Sequence, residues 1–218
     1  MHATADGVVV VIHDETLERT TDGAGLVREL ELSALHRLDA GFRFRAPDGT
    51  YPYRDRGVRV PTLDELLAAC PSAPLNIEIK QEDPPIVQAV LAALDRFGAR
   101  DRTLLAAEEA SIMARIRAAA PDMLTSFSAH DVAEFIGRLR AGGLPGYEPP
   151  GMALQVPATY GDTVIVSPEL VGAAHDLGLE VHVWTINDEP EMERLLDLGV
   201  DALMTDFPAR AFAVLRRR

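Results

Sequence analysis

The sequence predicts an α/β fold, a parallel sheet with crossover helices, and three observations carry that expectation. Apolar runs of strand length alternate with stretches of helical period from about residue 60 onward, which is the pattern of successive strand-helix units. Ser167-Pro168 and Asp188-Glu189-Pro190 put a capping side chain just before a proline near a first helical turn. Gly178 and Gly199 then stand where two of the helices should stop, a position that favours a left-handed residue. Six such alternations fit either an open doubly wound sheet or most of a (β/α)₈ barrel.

The elements follow in order. Val8 to His13 reads as a strand, Glu15 to Gly25 as a polar turn rich in Thr and Gly, and Leu30 to Leu38 as helical. Residues 40–60 mix aromatic, Arg, Gly and Pro residues without a period, which predicts a long surface loop ending at Pro61. Thr62 to Leu67 then reads as a capped helix. Strands are expected at Leu75 to Lys80, Leu104 to Ala107, Met123 to Ser126, Ala153 to Val156, Val181 to Ile186 and Ala202 to Thr205. Between them Pro85 to Phe97, Ser111 to Ala120, Asp131 to Ala141, Pro168 to Leu177 and Glu189 to Leu198 carry the helical period. Neither a repeat nor a linker interrupts the pattern, so one domain over residues 1–218 is the economical reading.

Composition narrows the function. The chain has 34 acidic against 21 basic residues and a net charge of −13, which argues against a nucleic-acid groove, since phosphates are bound by Lys and Arg that displace counterions. A lone cysteine, Cys70, can form neither an internal disulfide nor a cysteine metal cage. No apolar run approaches the roughly 20 residues of a membrane span. The first seven residues lack the basic start and apolar core of a signal peptide, so a cytoplasmic location is expected. Oligomeric state is not encoded in any legible pattern.

Three places stand out chemically. In Leu75-Asn76-Ile77-Glu78-Ile79-Lys80 a carboxylate and an amine alternate with apolar residues and so share one strand face. Lys80 is the only lysine in the chain, a compact point charge suited to a phosphate or a carboxylate. A buried structural pair of Glu78 with Lys80 is the plainer alternative. His13 ends the first strand, where α/β folds place reacting groups, and imidazole titrates near neutrality. For His2, His36, His130, His175 and His182 a packing role is expected. Trp184, the only tryptophan, ends a strand ahead of Thr185 and Asn187, as either a pocket wall or a core residue. Asp206 reads as a cap of the last helix.

Taken together the segments resemble the glycerophosphodiester phosphodiesterase family. Asp6-Gly7, Val10 to Asp14, Leu17 to Gly25, Pro61 to Glu65, Ile77 to Lys80, Val183 to Asn187 and Gly199 to Pro208 match its motifs in order. The resemblance implies a (β/α)₈ barrel with a hydrolytic site at the carboxyl ends of its strands. A small glycerophosphodiester would be cleaved there to glycerol 3-phosphate and an alcohol, through attack by the neighbouring glycerol hydroxyl and a cyclic phosphate. Carried over by position, Glu78 would be a ligand of Mg²⁺ or Ca²⁺, His13 one of two histidines in acid-base catalysis, and Lys80 a phosphate contact. Trp184 would line the substrate pocket.

One departure from the family pattern is large. Its opening H-R-G strand, P-E-N-T helix and E-x-D strand end have no counterpart before Met1-His2-Ala3. The resemblance therefore implies a barrel without its first strand-helix unit and most of its second strand. The absent part would hold the other histidine and two acidic metal ligands, so the 218-residue chain is expected to be impaired. A start codon assigned too late is one explanation, because Met1 stands where the family usually has valine. The alternative from another class is a non-catalytic ligand-binding module that keeps the barrel shell. Sphingomyelinase D and phosphoinositide phospholipase C types are further options, which the P-T-L-x-E and V-W-T-x-N pieces disfavour.

Overall fold

Asp6-Gly7 makes the first turn, a dipeptide suited to hairpins because it tolerates left-handed backbone. In the computed structural model, which describes residues 1–218, β1 (His2–Ala3) and β2 (Val9–Val10) pair antiparallel, His2 opposite Val10. Thr4 N–H donates to the Val8 carbonyl, Gly7 N–H donates to that of Thr4, and Gly7 takes a φ of 79°. The strand expected over Val8 to His13 is thus shorter than the apolar run. Beyond Val10 the partner is the segment at 61 and 62, and Pro61 has no N–H with which to continue a ladder.

The chain forms two compact units, residues 1–123 and 124–218, each with its own core. In the first, α1 (Leu32–Leu35) is a single turn preceded by a 3₁₀ turn at Val27–Glu29, shorter than the helix expected over Leu30 to Leu38. Residues 40–60 form turns without a helix or strand, as the absence of period predicts. Val10, Leu17, Val27, Leu35 and Val60 bury together beneath them.

Helix α2 (Leu63–Ala69) starts on a reciprocal cap. The Thr62 hydroxyl accepts from Glu65 N–H at 3.1 Å and the Glu65 carboxylate accepts from Thr62 N–H at 2.8 Å. Two donors that the helix cannot satisfy internally are thereby met. Thr62→Ala removes one of them and is expected to destabilise the first unit by about 1 kcal/mol, measured as a lowered urea midpoint with an unchanged slope. Thr62→Ser should retain most of that stability.

Strand β3 (Leu75–Glu78) runs parallel to β4 (Thr103–Ala106), with Glu78 opposite Ala106, and α3 (Val87–Arg96) makes the crossover. Ile77, Ile79 and Leu105 point into a core shared with Val90 and Leu94 of α3 and with Ile112, Met113 and Ile116 of α4 (Ala110–Ala119). Because side chains alternate along a strand, Asn76, Glu78 and Lys80 take the other face.

In the second unit β5 (Leu124–Thr125) leads into α5 (Ala129–Arg140), and β6 (Ala153–Pro157) is followed by the small hairpin β7 (Thr159–Tyr160) and β8 (Thr163–Val164). Helix α6 (Pro168–Asp176), β9 (Glu180–Trp184), α7 (Glu189–Asp197), β10 (Ala202–Leu203) and α8 (Pro208–Arg216) complete it. Strand β9 is central, parallel to β6 on one side and β10 on the other. Val181 and Val183 face the helices with Leu170, Val171, Met192 and Leu195, while Gln155 and His182 lie side by side on the opposite face, 3.3 Å apart. A Cβ on Gly151 would meet the Thr125 and Ser126 carbonyl oxygens at 2.8 Å, so only glycine lets β6 begin there.

Apart from the two antiparallel hairpins, the strands form open parallel ladders, and no closed barrel is present in the structure. A closed barrel needs about eight strands with matched tilt and stagger, and several expected strands are shorter than their apolar runs. Met123 to Ser126 contracts to Leu124–Thr125 and Ala202 to Thr205 to Ala202–Leu203. The strand-helix alternation itself follows the sequence expectation closely.

Candidate active site

The first unit gathers most of the predicted polar residues. Glu78 and Lys80, on one face of the β3 strand end, are joined directly: Lys80 Nζ lies 3.0 Å from Glu78 Oε2. Both side chains are partly exposed and neither points into the apolar core. The hairpin of β1 and β2 docks on this end. Lys80 N–H donates to the Met1 carbonyl at 3.3 Å, and Ala3 N–H donates to Gln81 Oε1 at 2.9 Å.

From the same hairpin His2 reaches the backbone of His13. Its Nε2–H donates to the His13 carbonyl at 3.2 Å, and its ring is buried. Burial lowers the His2 pKa, because a charged imidazolium loses hydration; the His13 carbonyl and Glu15 oppose this, and the Met1 ammonium and, least, Lys80 add to it. His2 therefore ties the β1–β2 hairpin to the backbone of His13. Sequence reasoning assigned it to packing. Its register opposite Val10 is the feature that could have singled it out, once Asp6-Gly7 is taken as a hairpin turn.

His13 has a defined orientation although its side chain is 67% exposed. Its Nδ1 is 2.7 Å from Asp14 Oδ1. Arg19 holds the same carboxylate with two parallel bonds, Nε to Oδ2 at 2.5 Å and NH2 to Oδ1 at 2.9 Å. The guanidinium lowers the Asp14 pKa well below the usual carboxylate range, with the His13 contact assisting. An ionised Asp14 only accepts, so the His13 proton sits on Nδ1 and a neutral ring presents the Nε2 lone pair outward. Asp14 and Arg19 lie in matched motifs, yet only the folded turn shows that they act on His13.

Metal fit is a matter of donors. No three His, Cys, Asp or Glu side chains of residues 1–218 come together as a metal site, and Glu78 is already faced by Lys80. Mg²⁺ and Ca²⁺ want six or more oxygens, so these residues do not by themselves fit either ion.

In the second unit Trp184 ends β9 with 43% of its surface exposed, which excludes the core alternative. Strand alternation puts it on the face of His182, away from buried Val181 and Val183. Asn187 ties the two strand ends together. Its Oδ1 accepts from the Thr205 hydroxyl and from Asp206 N–H, both at 2.9 Å, and its Nδ2 donates to Asp206 Oδ2 at 2.9 Å. Asp206, expected as a helix cap, makes no side-chain cap to α8 and serves this brace instead.

Comparison with known proteins agrees with this architecture. The structure superposes on that of a glycerophosphodiester phosphodiesterase from Agrobacterium tumefaciens str. C58 with a TM-score of 0.75 and 26% identity, covering 97% of this chain and 84% of that one. An Oleispira antarctica phosphodiesterase, solved with the product sn-glycerol-3-phosphate, shares the fold at a TM-score of 0.76 and 23% identity, over 98% of this chain and 82% of that one. The fold is therefore that of phosphodiesterases of this type. Residues 1–210 match the model of the glycerophosphoryl diester phosphodiesterase family, and the chain belongs to that family. It is 31% identical over 221 aligned positions to a glycerophosphodiester phosphodiesterase of Caldanaerobacter subterraneus subsp. tengcongensis, covering 98% of this chain and 83% of that relative.

Proposed function

We propose that the protein hydrolyses glycerophosphodiesters to glycerol 3-phosphate and an alcohol, with His13 as acid-base catalyst and Lys80 as phosphate contact. The observation that carries the reading is the Arg19, Asp14 and His13 chain, which leaves Nε2 as the open basic atom. That nitrogen takes the proton of the attacking glycerol hydroxyl as its oxygen bonds to phosphorus, and the P–O bond to the alcohol breaks. The alkoxide takes a proton from water as it leaves, water then opens the cyclic phosphate, and Nε2 returns its proton to solvent.

Lys80 supplies positive charge where the equatorial oxygens become more negative, which an acidic chain needs in order to hold an anion. Trp184 is the proposed aromatic ligand contact of the second unit. Glu78 offers one oxygen to a Mg²⁺ or Ca²⁺, which would add charge at the phosphoryl oxygens.

The test is release of glycerol 3-phosphate from choline, ethanolamine and bis-type glycerophosphodiesters with Mg²⁺ or Ca²⁺, using this chain and one extended by the codons upstream. Turnover by the extended form is expected, and Lys80→Met should lower its kcat/KM at least about tenfold, a loss of ~1.4 kcal/mol of transition-state binding. An extended form inert with both metals and all substrates overturns the reading. Metal-independent ligand binding reported by Trp184 fluorescence, without turnover, would replace it by the non-catalytic alternative.

A further inference from the structure

Residues 42–56 bring guanidinium and aromatic groups together on the surface of the first unit, and none of the chemistry above uses them. Four arginines against Asp48 and Asp55 give this segment a charge of +2 in a chain of −13. Arg43, Arg45, Arg54 and Arg56 take part in no ion pair, whereas neighbouring Arg59 pairs with Glu65 at 2.5 Å. Phe44, Tyr51 and Tyr53 are 52%, 42% and 50% exposed beside them.

The segment is held in shape at its base. Ala40 N–H donates to the Val58 carbonyl at 2.8 Å, and Asp39 accepts from Gly41 N–H and Asp55 N–H at 2.8 and 2.7 Å. A Cβ at Gly41 would lie 2.4 Å from the Tyr53 carbonyl oxygen, so glycine is required for this approach. Arg54 stacks on Phe42 and Tyr51 at 4.3 and 3.9 Å from the ring centres and donates twice to the Phe42 carbonyl. Phe44 meets Tyr53 edge-on at 4.9 Å. Arg43 and Arg45 make one backbone contact each and Arg56 makes no side-chain bond, so all three heads stay on the surface.

We propose that this segment docks the protein on an anionic lipid bilayer, with Phe44, Tyr51 and Tyr53 entering the headgroup region and Arg43, Arg45 and Arg56 meeting lipid phosphates. Tyrosine suits that depth because its ring is apolar and its hydroxyl is wet, and guanidinium matches phosphate in a bidentate fork. A local charge of +2 in a chain of −13 favours approach of an anionic surface at this segment. No helix is long and apolar enough to cross a membrane, so the contact is peripheral. The inference does not depend on the proposed activity, and its test needs no turnover.

Sedimentation with vesicles of phosphatidylcholine alone, or containing phosphatidylglycerol, measures the contact directly. The chain is expected to bind only the anionic vesicles and to be released at high salt. Each arginine near an anionic surface strengthens binding about fivefold, so R43Q/R45Q/R56Q should weaken partitioning by roughly 10²-fold with an unchanged melting temperature. F44S/Y53S should weaken it while leaving the salt dependence in place. No binding to anionic vesicles, equal binding by the triple variant, or preference for a single-stranded oligonucleotide over vesicles overturns the proposal.

Discussion

Replacing His13 with alanine is expected to slow glycerophosphodiester cleavage about 10²- to 10⁴-fold, the usual contribution of a positioned acid or base. The ring is largely solvent-exposed and makes no core contact, so the loss should fall on kcat with little change in thermal stability. Asp14→Asn tests the geometry behind it. An amide can donate to Nδ1 as well as accept, so the imidazole is free to turn its proton to Nε2 and lose the basic atom. Arg19 would also lose its charged partner. The variant should therefore approach His13→Ala in rate while His13 is still present. Single-turnover rates against pH separate the cases: loss of the limb reporting the base in both variants supports the assignment. An unchanged rate in His13→Ala would remove His13 from the chemistry.

The largest expected effect on stability lies in the second unit. Phe135 is fully buried in α5, with its ring 6.1 Å from Phe127 at 84° and 5.9 Å from Tyr147 at 59°. Phe135→Ala removes the transferred apolar surface, leaves a cavity and loses both ring contacts, for a cost of about 3–5 kcal/mol. Domains are stable by only about 5–15 kcal/mol in total. The second unit should then be near its unfolding threshold at room temperature, seen as a calorimetric transition shifted to lower temperature. Phe135→Leu keeps most of the volume and should cost well under half as much. A loss below about 1 kcal/mol for the alanine variant would mean that the site relaxes around the gap.

The two predictions differ in how they could have been anticipated. The helix of Phe135 is legible because residues 131–141 carry the helical period, a signal that depends only on neighbouring residues, although the reciprocal cap of Ser128 and Asp131 starts it at Ala129. His13 was legible by position and by family motif. The carboxylate that orients it was not legible as a partner, because a hydrogen bond depends on the path of the turn after residue 13. His2 was hidden for the same reason: its contact is with a residue eleven positions away. Trp184 was ambiguous in sequence, since a strand end can face core or solvent, and only the packing of Val181 and Val183 against the helices decides which.

Asp206 shows the opposite failure. A short acidic residue before Pro208 has the local chemistry of a cap, but Asn187 from another strand end donates its side-chain N–H to the Asp206 carboxylate and accepts from the Asp206 backbone N–H with its Oδ1. Tertiary partners override local preference where both satisfy the same group. Strand lengths failed similarly, because an apolar run marks burial and not whether a neighbour supplies the ladder.

By itself the sequence determined the order of strands and helices, their caps and stops, the separation of Glu78 and Lys80 from the isoleucines that alternate with them, and the family. All of these follow from periodicity and chemistry within a few residues. Only the tertiary structure decided that Lys80 faces Glu78, that His2 bridges to His13, and that Arg19 and Asp14 set its tautomer. The His2 contact joins two segments that the hairpin brings together, and the others depend on side-chain orientation at the strand end and on the path of the turn after residue 13, which residue identities alone do not set.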